Sequence, residues 1–401
     1  MSRRKEFVAG IFLLAMAVSH LVMAAKLTPY LRNGYPNFAS FYTAGTMVRT
    51  GQATALYDLP AQYEMQKQFA PNVSIRQAAL PYIHPPFEAL LFAPLTLLPY
   101  WPSYLLWTAL NLVLLAVSLL ILRSGPGLKG VSPIFLALAA AGFYPAVTSL
   151  IQGQDCILLL FLFVLAVVAL EKRWDTAAGL LLAGGMFRFQ LVLPVILLLA
   201  IRRWRILLGF VPMSVLLGVL SLGMVGWTGV TGYLHFLINM EKGGAGGSIV
   251  PSGMPNLRGL LAGLPGVSAD SSPIFVATML CSVAVMGIAG YCIRFQKYSL
   301  RFTFTLATVA ALLVSYHSLT YDLSLLFPAI LLLFADGEHA TKRSGQIDIL
   351  LLLLLYALPR FELVGAWLSP FVWFAAFLFW LFRKGNLSGQ LTEHATGTQA
   401  L

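Results

Sequence analysis

The chain has 401 residues, of which 59% are hydrophobic and only 10% charged. A soluble protein carries about 25% charged residues, so a water-covered globular surface of this size is excluded. The mean hydropathy of +0.81 excludes a disordered chain, and the net charge of +11 has to be explained by its distribution.

Apolar runs of about 17–22 residues match a hydrocarbon core about 30 Å thick. They are continuous and Leu-rich rather than alternating, which excludes a closed membrane barrel. The first, over about 7–25, follows Arg3, Arg4 and Lys5 and is long for a signal-peptide core, so it reads as a retained span. A loop over 26–102 comes next, too patterned to be a linker. Asn37 opens and caps a helix whose Phe38, Phe41, Tyr42, Gly45 and Val48 follow i, i+3, i+4 spacing, and Gly51 ends it. Asp58 caps a second helix with Pro60 in its first turn. After His84-Pro85-Pro86 comes an apolar helix of about 87–99, too short to cross and suited to the membrane interface.

Further spans are expected at about 103–122, 132–150, 156–170, 206–225, 273–293, 300–316, 322–335, 347–358 and 365–382. The stretch 176–201 is interrupted by Arg188 and flanked on both sides by basic groups, Lys172/Arg173 and Arg202/Arg203/Arg205. It reads as two short helices meeting near Phe187–Gln190, a hairpin with both ends on one side, buried because irregular backbone at membrane depth is tolerated only there or in a wet cavity. The fold class is therefore all-α and polytopic, with about 10–12 passages and both termini on the same side. A second large loop, 226–272, holds Trp227, Tyr233 and Phe236, a flexible Gly243–Ser248 stretch, and Asn256-Leu257-Arg258-Gly259. Residues 1–382 form one transmembrane domain without repeats, and 383–401 reads as a disordered cytoplasmic tail.

Sorting the linkers alternately places about 17 of the 26 Lys/Arg on the N-terminal side, a balance near +10 against about +1 opposite. That asymmetry makes the N-terminal side cytoplasmic, and the charge reports topology rather than a nucleic-acid partner. Cys156, Cys281 and Cys292 lie in apolar runs as small hydrophobes, with no metal or disulfide spacing.

The polar residues at span ends gather on the outer side: Gln154, Asp155, Arg188, His317, Tyr321 and Asp322, with Asn37, Asp58, His84 and Glu88 in the first loop. Asp58, Glu88, Asp155 and Asp322 each open a helical run, where a carboxylate also serves as a cap. Arg188, deep in an apolar hairpin, needs an anion: a ligand phosphate, or Asp155 or Asp322. No metal cluster is visible, so no metal and no cofactor are expected.

The order of Asn37-Phe38, Leu56-Tyr57-Asp58, His84-Pro85-Pro86-Phe87, Gly153-Gln154-Asp155, Arg188-Phe189-Gln190, Asn256-Leu257-Arg258-Gly259 and Tyr321-Asp322 resembles glycosyltransferase family 87, the polyprenyl-phosphate-dependent mannosyltransferase-like proteins of the GT-C superfamily. The resemblance implies a plasma (inner) membrane hexosyltransferase with an extracytoplasmic site. Its partners would be membrane lipid, a polyprenyl-phosphate-linked sugar as donor, and a glycan or glycolipid acceptor. It also implies a catalytic carboxylate in the first outer loop, with Arg188, His317, Arg258 and Tyr321 toward the donor phosphate. Asn37 stands where the family has Asp, and an amide cannot accept a proton near neutral pH. Asp58, placed ahead of Glu88, would then act as base, with inversion at the anomeric carbon. Two rival readings stay open: a catalytically silent relative that binds lipid-linked sugar, and a transporter, although transporters usually carry repeats and midplane sites.

Overall fold

The computed structural model describes residues 3–125, 128–241, 251–264, 272–296, 298–336 and 356–357. Regular structure among them is entirely helical: α1 (Arg3–Arg32), α2 (Phe38–Arg49), α3 (Leu59–Lys67), α4 (Asn72–Arg76), α5 (Pro86–Phe92), α6 (Tyr100–Ser124), α7 (Pro133–Gly142), α8 (Tyr144–Gln152), α9 (Cys156–Glu171), α10 (Asp175–Gly184), α11 (Phe189–Ala200), α12 (Leu207–Glu241), α13 (Leu257–Ala262), α14 (Ser272–Phe295), α15 (Leu300–Val314) and α16 (Leu326–Asp336). Apolar stretches of 24 to 35 residues in α1, α6, α12 and α14 are long enough to cross a membrane individually. Leu112, Val113 and Leu120 on α6 and Val215, Leu216 and Val219 on α12 are exposed, as side chains facing lipid would be. The chain is an all-α polytopic membrane protein.

The centre of the bundle is α9, apolar on every face and therefore buried on nearly every face. Its two ends define the molecule. At one end Glu171 accepts from Arg301 at the foot of α15 (2.6 Å), and Asp175 at the start of α10 pairs with Arg203 beyond α11 (2.7 Å). Arg203 also donates to the Leu170 carbonyl, and Arg202 to the carbonyl of Gln296 after α14. At the other end Asp155 meets Arg188, the residue between α10 and α11. So α10 and α11 run out and back as a hairpin, and both basic flanks lie at the same end. The α7–α8 pair is bent by a similar amount, 69° against 63° for the α10–α11 pair. Pro145 explains the break: it has no N–H for the carbonyl four residues earlier, and that carbonyl, of Ala141, is met instead by the His20 ring of α1 at 2.9 Å.

Close packing fixes the hairpin against α12. A Cβ on Gly179 would lie 1.9 Å from the Ile206 carbonyl oxygen, and one on Gly209 would lie 2.0 Å from that of Thr176. Small residues let helix backbones approach this closely. Three expectations change. The 87–99 helix is α5 followed by a 3₁₀ turn, Ala93–Leu97, because Pro94 has no N–H to continue the α-helical hydrogen-bond ladder. The span expected to end near 225 continues as α12 to Glu241, kinked at Gly226 (φ 69°), so Trp227, Tyr233 and Phe236 are helical rather than loop. Asn37 precedes α2 without a side-chain capping bond; its own N–H donates to Gln152 Oε1 at 3.1 Å. The expected Gly243–Ser248 stretch, the 347–358 and 365–382 spans (apart from 356–357) and the 383–401 tail lie outside the described residues.

Candidate functional site

The polar end of the bundle is assembled from chain turns that the sequence itself forces. Gly153 adopts φ 61°, ending α8 and turning the chain so that Gln154 and Asp155 lead into α9. The α10–α11 break at Gly185–Arg188 brings a guanidinium to the same point. Pro85 and Pro86 start α5, one turn of which sets His84 and Glu88 on a common face. A 3₁₀ turn from Thr320 to Leu325 presents Asp322.

Arg188 is buried and fully engaged. Its Nε and Nη2 donate to Asp155 Oδ1 at 2.8 and 2.6 Å, its Nη1 lies 3.1 Å from Asp322 Oδ1, and Nη2 also donates to Gln154. Tyr321 places its ring 5.4 Å from the guanidinium carbon. Of the anions the sequence offers to Arg188, the structure supplies both carboxylates. A donor phosphate therefore meets a guanidinium whose charge is already countered.

On the other side of Asp155 stands a second group. His84 Nδ1 lies 2.9 Å from Glu88 Oε2 and 3.4 Å from Asp155 Oδ2. Tyr82 donates to Glu88 Oε2 at 3.3 Å, Tyr57 donates to the His84 carbonyl at 2.7 Å, and the Phe41 ring packs on the imidazole at 4.9 Å. Burial, with the Asp155 charge beside it, raises the Glu88 carboxyl well above the ordinary carboxylate range. Burial and the Arg188 charge push His84 down to about 3. His84, Glu88 and Asp155 offer ligand atoms within 4.8 Å of one another, a set able to hold a metal ion. No such set was evident from sequence spacing, because Asp155 joins the other two only through the fold.

Beside this cluster is a largely apolar cavity of about 270 Å³, whose lining includes His84, Arg188, Gln190 and His317 together with Phe187, Phe189 and, from α12, Leu237 and Ile238. His317 Nδ1 is buried without a hydrogen-bond partner. Burial and the Arg188 and Arg258 charges hold its pKa at about 4, so the ring is neutral. Arg258 stacks on the Tyr316 ring at 4.0 Å.

The remaining expected residues separate clearly. Glu88, His84, Gln154, Asp155, Arg188, Tyr321 and Asp322 converge, with His317 across the cavity. Asp58 does not join them: it is exposed and accepts from Ala61 N at 3.1 Å as the cap of α3. Placing it ahead of Glu88 is corrected by that surface position. Asn37 is half-buried and tied to the cluster only through Gln152, two residues before Gln154. Sequence reasoning missed Cys156, whose Sγ donates to Asp322 Oδ1 at 3.3 Å, and nothing in the spacing signals it. The importance of Glu88 had a signal, since it is the one charged side chain between Arg76 and Arg123.

A family model for glycosyltransferase family 87 matches residues 82–316. The chain belongs to glycosyltransferase family 87. The family is one of membrane glycosyltransferases, and the match takes in His84, Glu88, Asp155 and Arg188 but starts after Asn37 and Asp58. No curated protein and no solved structure matches the chain.

Proposed function

We propose that this family 87 glycosyltransferase moves a mannose-like hexose from a polyprenyl-phosphate donor to an extracytoplasmic glycan or glycolipid acceptor, inverting the anomeric carbon. The observation that carries this reading is the mixed lining of the cavity: His84, Gln190 and His317 suit the sugar phosphate, and the apolar remainder, Leu237 and Ile238 among it, suits the first part of a lipid tail. The acceptor hydroxyl oxygen bonds to the anomeric carbon, the bond from that carbon to the phosphate oxygen breaks, and the lipid phosphate leaves with the electron pair. The hydroxyl proton passes to the Glu88 carboxylate, which lies 2.9 Å from His84 at the cavity wall. The unpartnered His317 Nδ1 is placed to donate to the phosphate as charge develops there. The site end faces away from the cytoplasm by the charge balance of the linkers, in the GT-C manner.

The test is transfer of label from a polyprenyl-phosphate sugar in proteoliposomes. Glu88→Gln should lower turnover by about 10²–10⁴, the contribution of a positioned base, while Asp58→Asn should transfer as the unaltered chain does. A Glu88→Gln protein as active as the unaltered one overturns the assignment. Asn37 supports one second reading, the silent relative. On that reading the unaltered chain is nearly inert and Asn37→Asp raises turnover at least about a hundredfold.

A further inference from the structure

We propose that His84, Glu88 and Asp155 form a binding site for a divalent transition-metal cation at the edge of the cavity. One imidazole and two carboxylates place their ligand atoms within 4.8 Å of one another, and all three side chains are buried. Mixed nitrogen and oxygen ligands of this kind suit Mn²⁺ or Zn²⁺ better than Mg²⁺, which prefers oxygen and water.

The charge arrangement supplies an independent reason. Arg188 is shared between Asp155 and Asp322, while Glu88 lies on the far side of Asp155 with its Oε1 buried and unpartnered. Asp155 Oδ2 is likewise buried without a hydrogen-bond partner, so a cation between Glu88 and Asp155 would satisfy two otherwise orphaned carboxylate oxygens. It also changes what the cavity can hold. Arg188 is neutralised by its carboxylates and His317 is uncharged, so the polar wall of the cavity carries no uncompensated positive charge for a phosphate. A divalent ion on the triad, one of whose ligands lines the cavity, makes that wall attractive to an anionic leaving group. Coordination through one oxygen of Glu88 leaves the other to take the acceptor proton. This last role rests on the transfer reading above, whereas cation binding itself does not.

The experiment uses the full chain, purified in detergent in the presence of a chelator, dialysed and titrated with MnCl₂ while free Mn²⁺ is followed by EPR. One saturable equivalent is expected, and pulsed EPR should show nitrogen coupling from a single imidazole. His84→Ala should remove that coupling and weaken binding at least tenfold, and Glu88→Gln, nearly isosteric, should weaken it similarly. Absence of saturable binding by the unaltered chain, absence of nitrogen coupling, or coupling that persists in His84→Ala overturns the site. If His84→Ala does not fold, the nitrogen coupling of the unaltered chain and the Glu88→Gln affinity decide. No donor or acceptor is present in these measurements. A chain that binds Mn²⁺ through His84 but moves no sugar keeps the site and sinks the transfer reading. Transfer that is indifferent to chelator, in a chain that binds no Mn²⁺, does the reverse.

Discussion

Arg188 is where the smallest change should have the largest effect. Removing it leaves Asp155 and Asp322 buried without their counter-charge, and breaking a buried pair in this way costs about 3–5 kcal/mol. Arg188→Ala should therefore lower the thermal midpoint in detergent sharply. A variant that melts like the unaltered protein but no longer binds a polyprenyl phosphate would return Arg188 to a ligand role. His317 makes a pH prediction. Its folded pKa of about 4 lies below its ordinary value of 6.5, so between those values the unfolded chain takes up a proton that the folded ring refuses. Stability is thus lost as pH falls through that window, and His317→Asn should shrink the drop in thermal midpoint between pH 7 and pH 5. Which polar residues matter was legible in the sequence, because each stands out in an apolar chain. Asp155 and Asp322 as partners of Arg188 were legible too, but the grouping of Glu88 with His84 was not. Asp58 and Glu88 both look like first-turn carboxylates, and only tertiary burial makes one a surface cap and the other part of the cluster.

Among the helices, the packing of α10 against α12 is the most demanding contact. Gly179→Ala would put a methyl group against the Ile206 carbonyl, forcing the helices apart at a cost of about 1–3 kcal/mol. Gly218→Ala, on the same α12 but with nothing within 4 Å of the added carbon, should be neutral or gain up to about 1 kcal/mol from helix propensity. Thermal unfolding of the two variants side by side checks this, and equal losses would rule out the close approach as the cause. The existence of these helices follows from apolar run length and basic flanks. Their breaks are harder to read. The α7–α8 bend depends on Pro145 having a substitute partner for Ala141 in α1, and the persistence of α12 past Gly226 depends on Tyr233 and Phe236 packing beside Tyr57. Both partners are remote in sequence.

For the whole molecule, the ion pairs at one end and the charged cluster at the other fix how the chain alternates. Among the described residues, α1, α6, α12 and α14 are each long enough to cross a membrane, and the α7–α8 and α10–α11 pairs are so only when each bent pair is taken together. Reporter fusions truncated after Arg173 and after Arg203 should report the same side, and one after Gln68 the opposite side. Opposite signals from the first two would mean that α10 and α11 cross as one passage, against the Asp175–Arg203 contact.

The Arg188 clamp also bears on how the protein is made. A ribosome delivers α9, with Asp155 at its start, immediately before the hairpin, so Arg188 enters the bilayer with one counter-ion already beside it. Asp322 is synthesised more than a hundred residues later. Burying a guanidinium away from water is costly unless it is paired, and until Asp322 arrives only the first carboxylate offsets that cost. The hairpin is therefore held provisionally during synthesis and locked when the last described passage docks. A nascent chain stopped before Thr320 should be inserted yet remain open to quality-control proteases at the α10–α11 turn.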